Sequence, residues 1–558
     1  MQNKLSQYPQ LTQTLLKKRG IDGVVEAERF LNPDFGRDVG DPFGILNMER
    51  AVERIIRAID GGERIVVFAD YDCDGIPGGT LFNDFLQKIK YTNYEVYIPH
   101  RNTEGYGLNI KAIETLAMRG ASLIITIDCG ITDVAEAVYA KELGIDLIIT
   151  DHHLPQEILP DAYAIINSKQ VGDTYSDNML CGAAVAWKLV SALLARRGTV
   201  WGVPTGWEKW LLDMAGLSTI ADMVPLRNEN RALAYFGLTV LRKSSRIGLT
   251  VLLEKINVVQ KNIIEDDIGF MIGPRINAAS RIGNPMDAFR LLSATTREEA
   301  EKYADELIHL NETRKGMVAQ MVKEARHSLG NRELRDVIVV GNPEWKPGLA
   351  GLVAGNLVEA YSRTVFVWGR TEDGCIKGSC RSDGTVNIVD LMTSVREGVF
   401  IDVGGHKQAG GFSVLSEMIH ILEDELVVTY QTVFTEREEI TGTEITLSLS
   451  EVNWSNWKQI EQFAPFGVAN PKPAFLFEKI KIDGLRYFGQ TKTHLELTFE
   501  RPNLDSLKAI LFFARVSVKE GGKYDALAIG ETVNLVATIE VNTFRGAREL
   551  RLRIVSVV

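Results

Sequence analysis

Residues 68–79 read FADYDCDGIPGG, with Asp70, Asp72 and Asp74 at alternate positions directly behind the apolar run RIVVF of residues 64–68. Two carboxylates about 4 Å apart repel by roughly 4 kcal/mol at the effective dielectric of a protein surface. Such a cluster persists only where cations neutralise it or protons occupy part of it. One DxDG alone reads as a solvated turn, in which Asp and Gly serve as turn residues. An EF-hand calcium loop is excluded, because its twelfth position requires a bidentate Glu and Leu81 stands there.

The pattern recurs along the chain. The run SLIITIDCG delivers Asp128, DLIITDHH delivers Asp151, His152 and His153, and LSTIADMVPL offers Asp222. These β-branched runs, together with YEVYIP, are separated in places by helical stretches, IKAIETLAMRG and VAEAVYAKELG, each ending in Gly. Strands alternating with helices predict a parallel, doubly wound sheet, in which ligands gather at the carboxyl ends of the strands. A lone His is usually structural and a lone Asp at a strand end is usually a cap. Three strand ends delivering Asp or His to one edge predict a metal site. Carboxylate and imidazole ligands suit Mn²⁺ or Mg²⁺ rather than a thiolate-bound metal. Two ions about 3.5–4 Å apart, sharing a bridging Asp, form a standard device for phosphodiester hydrolysis.

The 558 residues exceed one hydrophobic core and predict three or four domains. A 45% hydrophobic and 24% charged composition is ordinary for soluble globular protein. No apolar run reaches the length of a membrane span, and MQNKLSQYPQLTQTLLKKRG contains no apolar signal-peptide core. Five cysteines without a CxxC pair argue against a disulfide framework and a zinc ribbon, and a cytoplasmic setting is expected. The net charge of -11 hides a segregation. Residues 471–558 hold fourteen Lys and Arg against ten Asp and Glu, a balance of +4, leaving -15 for the rest.

Residues 1–60 read as a short helical segment and 61–290 as the parallel α/β domain. A connecting helix is predicted within 291–330, over TREEAEKYADELIHLNETRKGMVAQMVKEARHSL. A smaller α/β unit is predicted for 331–440, with strands at DVIVVGN and TVFVWG and a Gly-rich turn in DVGGHKQAGGF. Residues 441–558 change texture to short strands and turns, predicting a small all-β barrel.

The segments DYDCDG, IDCG, DHH and ADMVPL are similar, in order and spacing, to the four motifs of the DHH phosphoesterase superfamily. IPHRNTEGYGLN and GPRINAASRIG resemble signatures of its RecJ branch. PEWKPGLAGLVAGNLVEAYSRTVFV, KGSCRS and GGHKQAGGF resemble the DHHA1 domain, and FAPFGVANPKPAF resembles the entry into an OB-fold barrel. The resemblance implies a two-metal, single-strand-specific DNA exonuclease, working from the 5′ end to mononucleotides in recombination and repair. It implies that Asp72 binds the first ion, Asp74 the second, and that Asp128 bridges them. His152 and Asp222 would complete the second ion's ligands, His153 would contact the scissile phosphate, and Asp70 would orient other ligands. His406, with its Gly-rich turn, would contact phosphate. Arg275, Asn277, Arg281, Ser379 and Arg381 are expected to bind phosphate or DNA, Ser379 and Arg381 at the terminal 5′ phosphate.

The basic excess at the C-terminus includes Arg545, Arg548, Arg551 and Arg553, with Tyr487, Phe488 and Phe544 nearby. A basic groove with stacking aromatics is how OB folds hold single strands without reading sequence. The chain departs from the family pattern at Phe68, where several members place a His ligand, and at Cys73, Pro77, Ser280 and Gly410. Single-strand-binding protein and a helicase are partners implied by the family alone, and a monomer is expected. Two other readings stand beside this one. A phosphodiesterase acting on nano-oligonucleotides or cyclic dinucleotides would lack the C-terminal barrel. A non-catalytic replication scaffold would show eroded ligands.

Overall fold

The β-branched runs form strands because their branched side chains pack well on a pleated, buried surface. In the computed structural model five of them, β1 (Ile65–Ala69), β2 (Tyr94–Tyr97), β3 (Leu123–Ile127), β4 (Asp146–Thr150) and β5 (Ala164–Ile166), make an all-parallel sheet in the order β2-β1-β3-β4-β5. The structure describes residues 5–330, 332–371, 374–435, 445–489, 492–501, 505–515, 524–542 and 548–557. Every residue of β1 and β3 is buried, as expected for parallel strands covered on both faces. On one face, Val66, Phe68, Ile124 and Ile149 share a core with Ile113 and Leu116 of the helix Ile110–Met118 and Ala137 and Ala140 of the helix Val134–Glu142. The helix Gly75–Lys88 lies so close to its neighbours that a Cβ on Gly78 would meet Ile127 Cγ2 at 2.6 Å and Ala183 Cα at 3.2 Å.

The predicted connecting helix is a single helix, Arg297–Leu329. Its Met321, Ala325 and Leu329 pack with Ile338, Leu349 and Val353 in a second α/β core. The sheet there is mixed: β6 (Val337–Gly341), β7 (Thr364–Arg370), β8 (Ile376–Arg381), β9 (Phe400–His406) and β10 (Ala409–Val414), ordered β6-β7-β8-β10-β9. Only the β6–β7 pair is parallel. The Gly-rich segment differs from the expected turn. It is the β9–β10 hairpin, with Ala409 opposite His406 and Gly410 opposite Gly405. Gly405 leaves no room for a side chain there, because a Cβ would lie 2.4 Å from the Ala409 carbonyl oxygen.

The C-terminal sheet comprises β11 (Ile445–Thr446), β12 (Ala474–Lys481), β13 (Gly484–Phe488), β14 (His494–Phe499), β15 (Leu507–Leu511), β16 (Thr532–Asn542) and β17 (Glu549–Val557), ordered β11-β12-β16-β17-β15-β14-β13. Its Phe463, Phe475, Phe477, Leu497 and Leu552 share one core with Leu15, Leu16, Ala27 and Leu31 from the start of the chain. The chain therefore divides into two compact units, one of residues 1–40, 223–236 and 440–558, the other of 41–222 and 237–439. Among the described residues, no helix is long and apolar enough to cross a membrane.

Candidate active site

The acidic loops sit at the carboxyl ends of β1, β3 and β4, and each is fixed by local backbone bonding. Asp72 Oδ1 accepts the N–H groups of Asp74 (2.8 Å) and Gly75 (3.3 Å), which opens the helix Gly75–Lys88. Gly75 is required there, since a Cβ would lie 2.4 Å from the Asp70 carbonyl oxygen. Asp74 accepts N–H bonds from Gly182 (2.6 Å) and Ala183 (2.8 Å), the first residues of the helix Gly182–Arg197. That helix's positive end favours the carboxylate. Asp128 follows β3 at φ 63°, a conformation costly for a residue with a side chain and common at functional sites.

These loops converge. His152 Nε2 lies 3.2 Å from Asp128 Oδ1 and 3.7 Å from both Asp74 Oδ2 and Asp222 Oδ2. Three sets of side chains bring ligand atoms within 4.8 Å of one another: Asp74, His152 and Asp222; Asp70, Asp72 and Asp128; and Asp128, His152 and His153. Asp128 is shared by two of them. Asp70, expected to orient other ligands, offers a carboxylate oxygen within the same 4.8 Å as those of Asp72 and Asp128.

The electrostatics of the cluster follow from burial and like charge. Burial, then Asp72, pushes Asp74 up to about 6 and, with the other carboxylates, raises Asp70 and Asp128 well above the usual range. Burial, then Asp74 and Asp72, pushes Asp222 up to about 8. Burial and the neighbouring His153 pull His152 down to about 3, which leaves it a neutral nitrogen donor. Burial opposes a charge on His153, but the hydrogen bond to Asp151 together with the charges of Asp151, Asp222 and Asp70 outweighs it and holds the imidazole at about 9. Asp151, fully buried, accepts from Ile131 N–H (3.0 Å) and from His153 Nδ1 (2.8 Å).

Divalent cations fit this donor set. Oδ1 of Asp70 and of Asp128 are buried without a hydrogen-bond partner, and a buried polar atom left so is costly unless something occupies it. Carboxylate oxygens with one neutral imidazole are the ligands of Mn²⁺ and Mg²⁺. The departures from the family pattern are accommodated by packing. Phe68 is wholly buried and stacks on Tyr97, with ring centroids 5.3 Å apart. Cys73 is buried and its N–H donates to Asn277 Oδ1 (2.8 Å). Pro77 falls in the first turn of the helix Gly75–Lys88, where a missing N–H costs little. Ser280 Oγ donates to the Asn277 carbonyl (3.2 Å).

The expected phosphate and DNA contacts separate into groups. Asn277 is engaged in holding the Cys73 loop. Arg275 is 7% exposed and its guanidinium donates to the Met271 carbonyl (2.5 Å), so it is packed rather than presented. Arg281 donates to the Gly348 carbonyl (2.7 Å). Burial, then the charges of Arg101 and Arg314, pulls it down to about 10, with Asp72 opposing and Arg381 contributing. Arg381 lies over the helix Pro347–Tyr361, where a Cβ on Gly351 would meet its Nη2 at 3.0 Å and Ser379 Cβ at 3.4 Å. Like charges thus gather at Arg101, Arg281 and Arg381 beside Ser379. His406 ends β9 and lies within electrostatic reach of His153, whose charge, after burial, lowers it.

In the C-terminal sheet, Arg551 is ion-paired to Glu540 at 3.3 Å. Arg553 lies over the Phe512 ring at 4.4 Å, and Phe512, Phe488 and His494 form one ring cluster. Tyr487 is covered by Arg515 at 3.3 Å and donates to Asp525 (2.6 Å). Arg548 lies over Trp454 at 5.2 Å. Arg545 and Phe544 lie outside the described residues.

Some participants were not singled out as site residues by the sequence, although Arg101 and Tyr106 lie in the quoted stretch IPHRNTEGYGLN. Tyr106, within GYG, donates its hydroxyl to the Asp128 carbonyl (3.1 Å) and lies 3.0 Å from His153 Nδ1. Gly182 is a helix-start glycine whose Cβ would fall 2.5 Å from Asp128 Cβ.

A parallel sheet with clustered Asp and His at three strand ends, joined by one long helix to a second α/β domain, defines a DHH-type phosphoesterase. Family models agree: the N-terminal domain of the DHH family matches residues 64–215, the DHHA1 domain 334–426 and the RecJ OB domain 443–556. The single-stranded-DNA-specific exonuclease RecJ of Bacillus subtilis is 36% identical over 98% of this chain and 67% of that protein. The RecJ of Haemophilus influenzae is 32% identical over 99% and 96% respectively. The crystal structure of RecJ from Thermus thermophilus in complex with Mn²⁺ superposes with a TM-score of 0.81 at 25% identity, covering 100% of this chain and 77% of that one. A manganese-bound exonuclease RecJ, 32% identical, covers 69% of this chain and 94% of its own at a TM-score of 0.59. The chain belongs to the RecJ family.

Proposed function

We propose that the chain is a single-strand-specific DNA exonuclease that uses two divalent ions, Mn²⁺ or Mg²⁺, and releases mononucleotides from the 5′ end in recombination and repair. The observation that carries this reading is the convergence of Asp70, Asp72, Asp74, Asp128, His152 and Asp222 around buried carboxylate oxygens without partners. Asp72 and Asp74 would hold one ion each, Asp128 both, and His152 and Asp222 the second. Asp70 would join the first set. Bound there, the ions supply charge for the scissile phosphate and lower the proton affinity of water.

The protein's own part is orientation and fixed charge. Water attacks phosphorus, the P–O bond to the 3′ oxygen breaks, and negative charge grows on the phosphate oxygens. His153, whose Nδ1 is committed to Asp151, keeps Nε2 for a phosphate oxygen. His406 adds a second donor from the hairpin. Preorganised donors act most strongly where charge develops. Arg101, Arg281 and Arg381, with Ser379, supply the cationic seat for a terminal 5′ phosphate, and guanidinium forks match that group's geometry. The ring cluster of Phe488, His494 and Phe512, topped by Arg553, offers bases a stacking surface.

The C-terminal sheet argues against a substrate limited to short oligonucleotides. Cytoplasmic residence, a monomeric state and work alongside single-strand-binding protein and a helicase belong to the same reading and rest on the family resemblance. The test compares 5′-phosphorylated with 5′-hydroxyl single strands for wild type and Arg381→Ala. A preference for the phosphorylated end that the variant loses supports the seat; equal rates in wild type contradict it.

A further inference from the structure

The two-histidine dipeptide lies just beyond β4, where no strand or helix takes up its backbone. Its four backbone groups end on side chains instead. The N–H groups of His152 and His153 both donate to Asp151 Oδ1, at 2.7 and 3.0 Å. The His153 carbonyl accepts Asn167 Nδ2–H at 2.9 Å, and the His152 carbonyl accepts Lys169 Nζ. Backbone groups buried without partners are costly, so this cage sets where the dipeptide rests.

Asn167 and Lys169 belong to the loop after β5, in the stretch NSKQ of residues 167–170. Asn167 is wholly buried. Its Oδ1 accepts the Lys169 N–H at 2.9 Å, which leaves Nδ2 to face a carbonyl. Gln170 closes the loop on the carbonyls of Ile165 (2.9 Å) and Asn167 (3.0 Å). Lys169 is half-buried, and its charge is felt by His152 and by His406. A positive charge there opposes a nearby cation, so what the lysine gives the site is its hydrogen bond to the His152 carbonyl.

We propose that Asn167 and Lys169 are positioning residues for the metal site, holding His152 and His153 through their backbone carbonyls. The proposal rests on the two-metal reading above. Groups that orient metal ligands typically change metal affinity or activity by about 10–100-fold when removed. A loop that merely closed the end of β5 would change melting temperature and leave affinity alone.

The test is calorimetric titration of Mn²⁺ into the full chain, with melting followed in EDTA. Lys169→Met keeps the aliphatic stem and removes the donor and charge; losing the charge alone would favour a cation, so weaker binding reads the lost hydrogen bond. It is expected to bind Mn²⁺ at least about tenfold more weakly while melting within a few degrees of wild type. Lys169→Arg, which keeps a charged donor, is expected to recover part of the affinity. Asn167→Asp turns an oxygen towards the His153 carbonyl and is expected to weaken binding likewise. If Lys169→Met does not fold, Lys169→Leu, which also lacks a donor, carries the same expectation. Wild-type affinity in Lys169→Met or Lys169→Leu overturns the proposal, and leaves the nuclease reading intact if the wild type digests single strands with Mn²⁺. A wild type that binds no Mn²⁺ overturns both.

Discussion

Gly182 shows how one missing side chain shapes the site. In most helix positions Ala stabilises relative to Gly by about 1 kcal/mol. Here a Cβ would lie 2.6 Å from Asp128 Oδ1, so Gly182→Ala must displace the shared carboxylate. The expected outcome is a fall of about 10²-fold or more in metal-dependent cleavage, with the fold retained by circular dichroism. Wild-type turnover would contradict it. Asp133 carries a separate, pH-dependent expectation. Its Oδ2 accepts the Leu108 N–H (2.6 Å), and burial pushes the carboxyl up to about 6. The folded state therefore holds the proton more tightly than the unfolded chain, whose carboxyl titrates near 4. The stability this group contributes is present below about pH 4 and lost as pH rises through about 6. Asp133→Asn, which keeps an acceptor, should gain on wild type by about 1–3 kcal/mol over that window. Denaturation at a series of pH values measures it, and a difference flat with pH would refute it.

At the scale of elements, the strands were legible because buried parallel strands are runs of Val, Ile and Leu, and the site was legible because those runs end in Asp and His. The Gly-rich segment was harder. Glycine signals both turns and close backbone approach, and only the pairing of β9 with β10 decides between them. The same pairing explains Gly410, where the family usually has Ala. A Cβ there would meet Ile388 Cγ2 at 2.8 Å, Met392 Cε at 2.9 Å and the Gly404 carbonyl oxygen at 3.0 Å. Gly410→Ala is therefore expected to cost about 1–3 kcal/mol, read as a lowered denaturation midpoint. An unchanged or raised midpoint would show that the hairpin yields. Tyr106, Asn167 and Lys169 escaped the sequence reading for another reason. Their roles are hydrogen bonds to main-chain carbonyls of residues 14 to 22 positions away, and such bonds carry no local pattern.

Across the whole molecule, residues 1–60 looked like one separate helical segment, yet the chain divides near residue 40, and Leu5, Leu15, Leu16, Ile21, Ala27 and Leu31 complete the core of the C-terminal sheet. Sequence distance concealed this, because amphipathic helices do not reveal which surface they cover. A fragment of residues 440–558 alone would leave that core uncovered. It is expected to melt well below the full chain or to aggregate, and a fragment as stable as the intact protein would contradict the shared core.

The charge segregation seen in the sequence acquires its meaning at this scale too, with acidic loops around the metal site and arginines beside aromatic rings on the C-terminal sheet. The central claim is that Asp128 and its neighbours form a two-metal nuclease centre. Its most direct test is digestion of single-stranded DNA labelled at either end, with Mn²⁺ or EDTA, for wild type and Asp128→Ala. Metal-dependent release of mononucleotides from the 5′ end, lost in Asp128→Ala, is the predicted result. Intact DNA in the presence of Mn²⁺, or undiminished cleavage by Asp128→Ala, would contradict it.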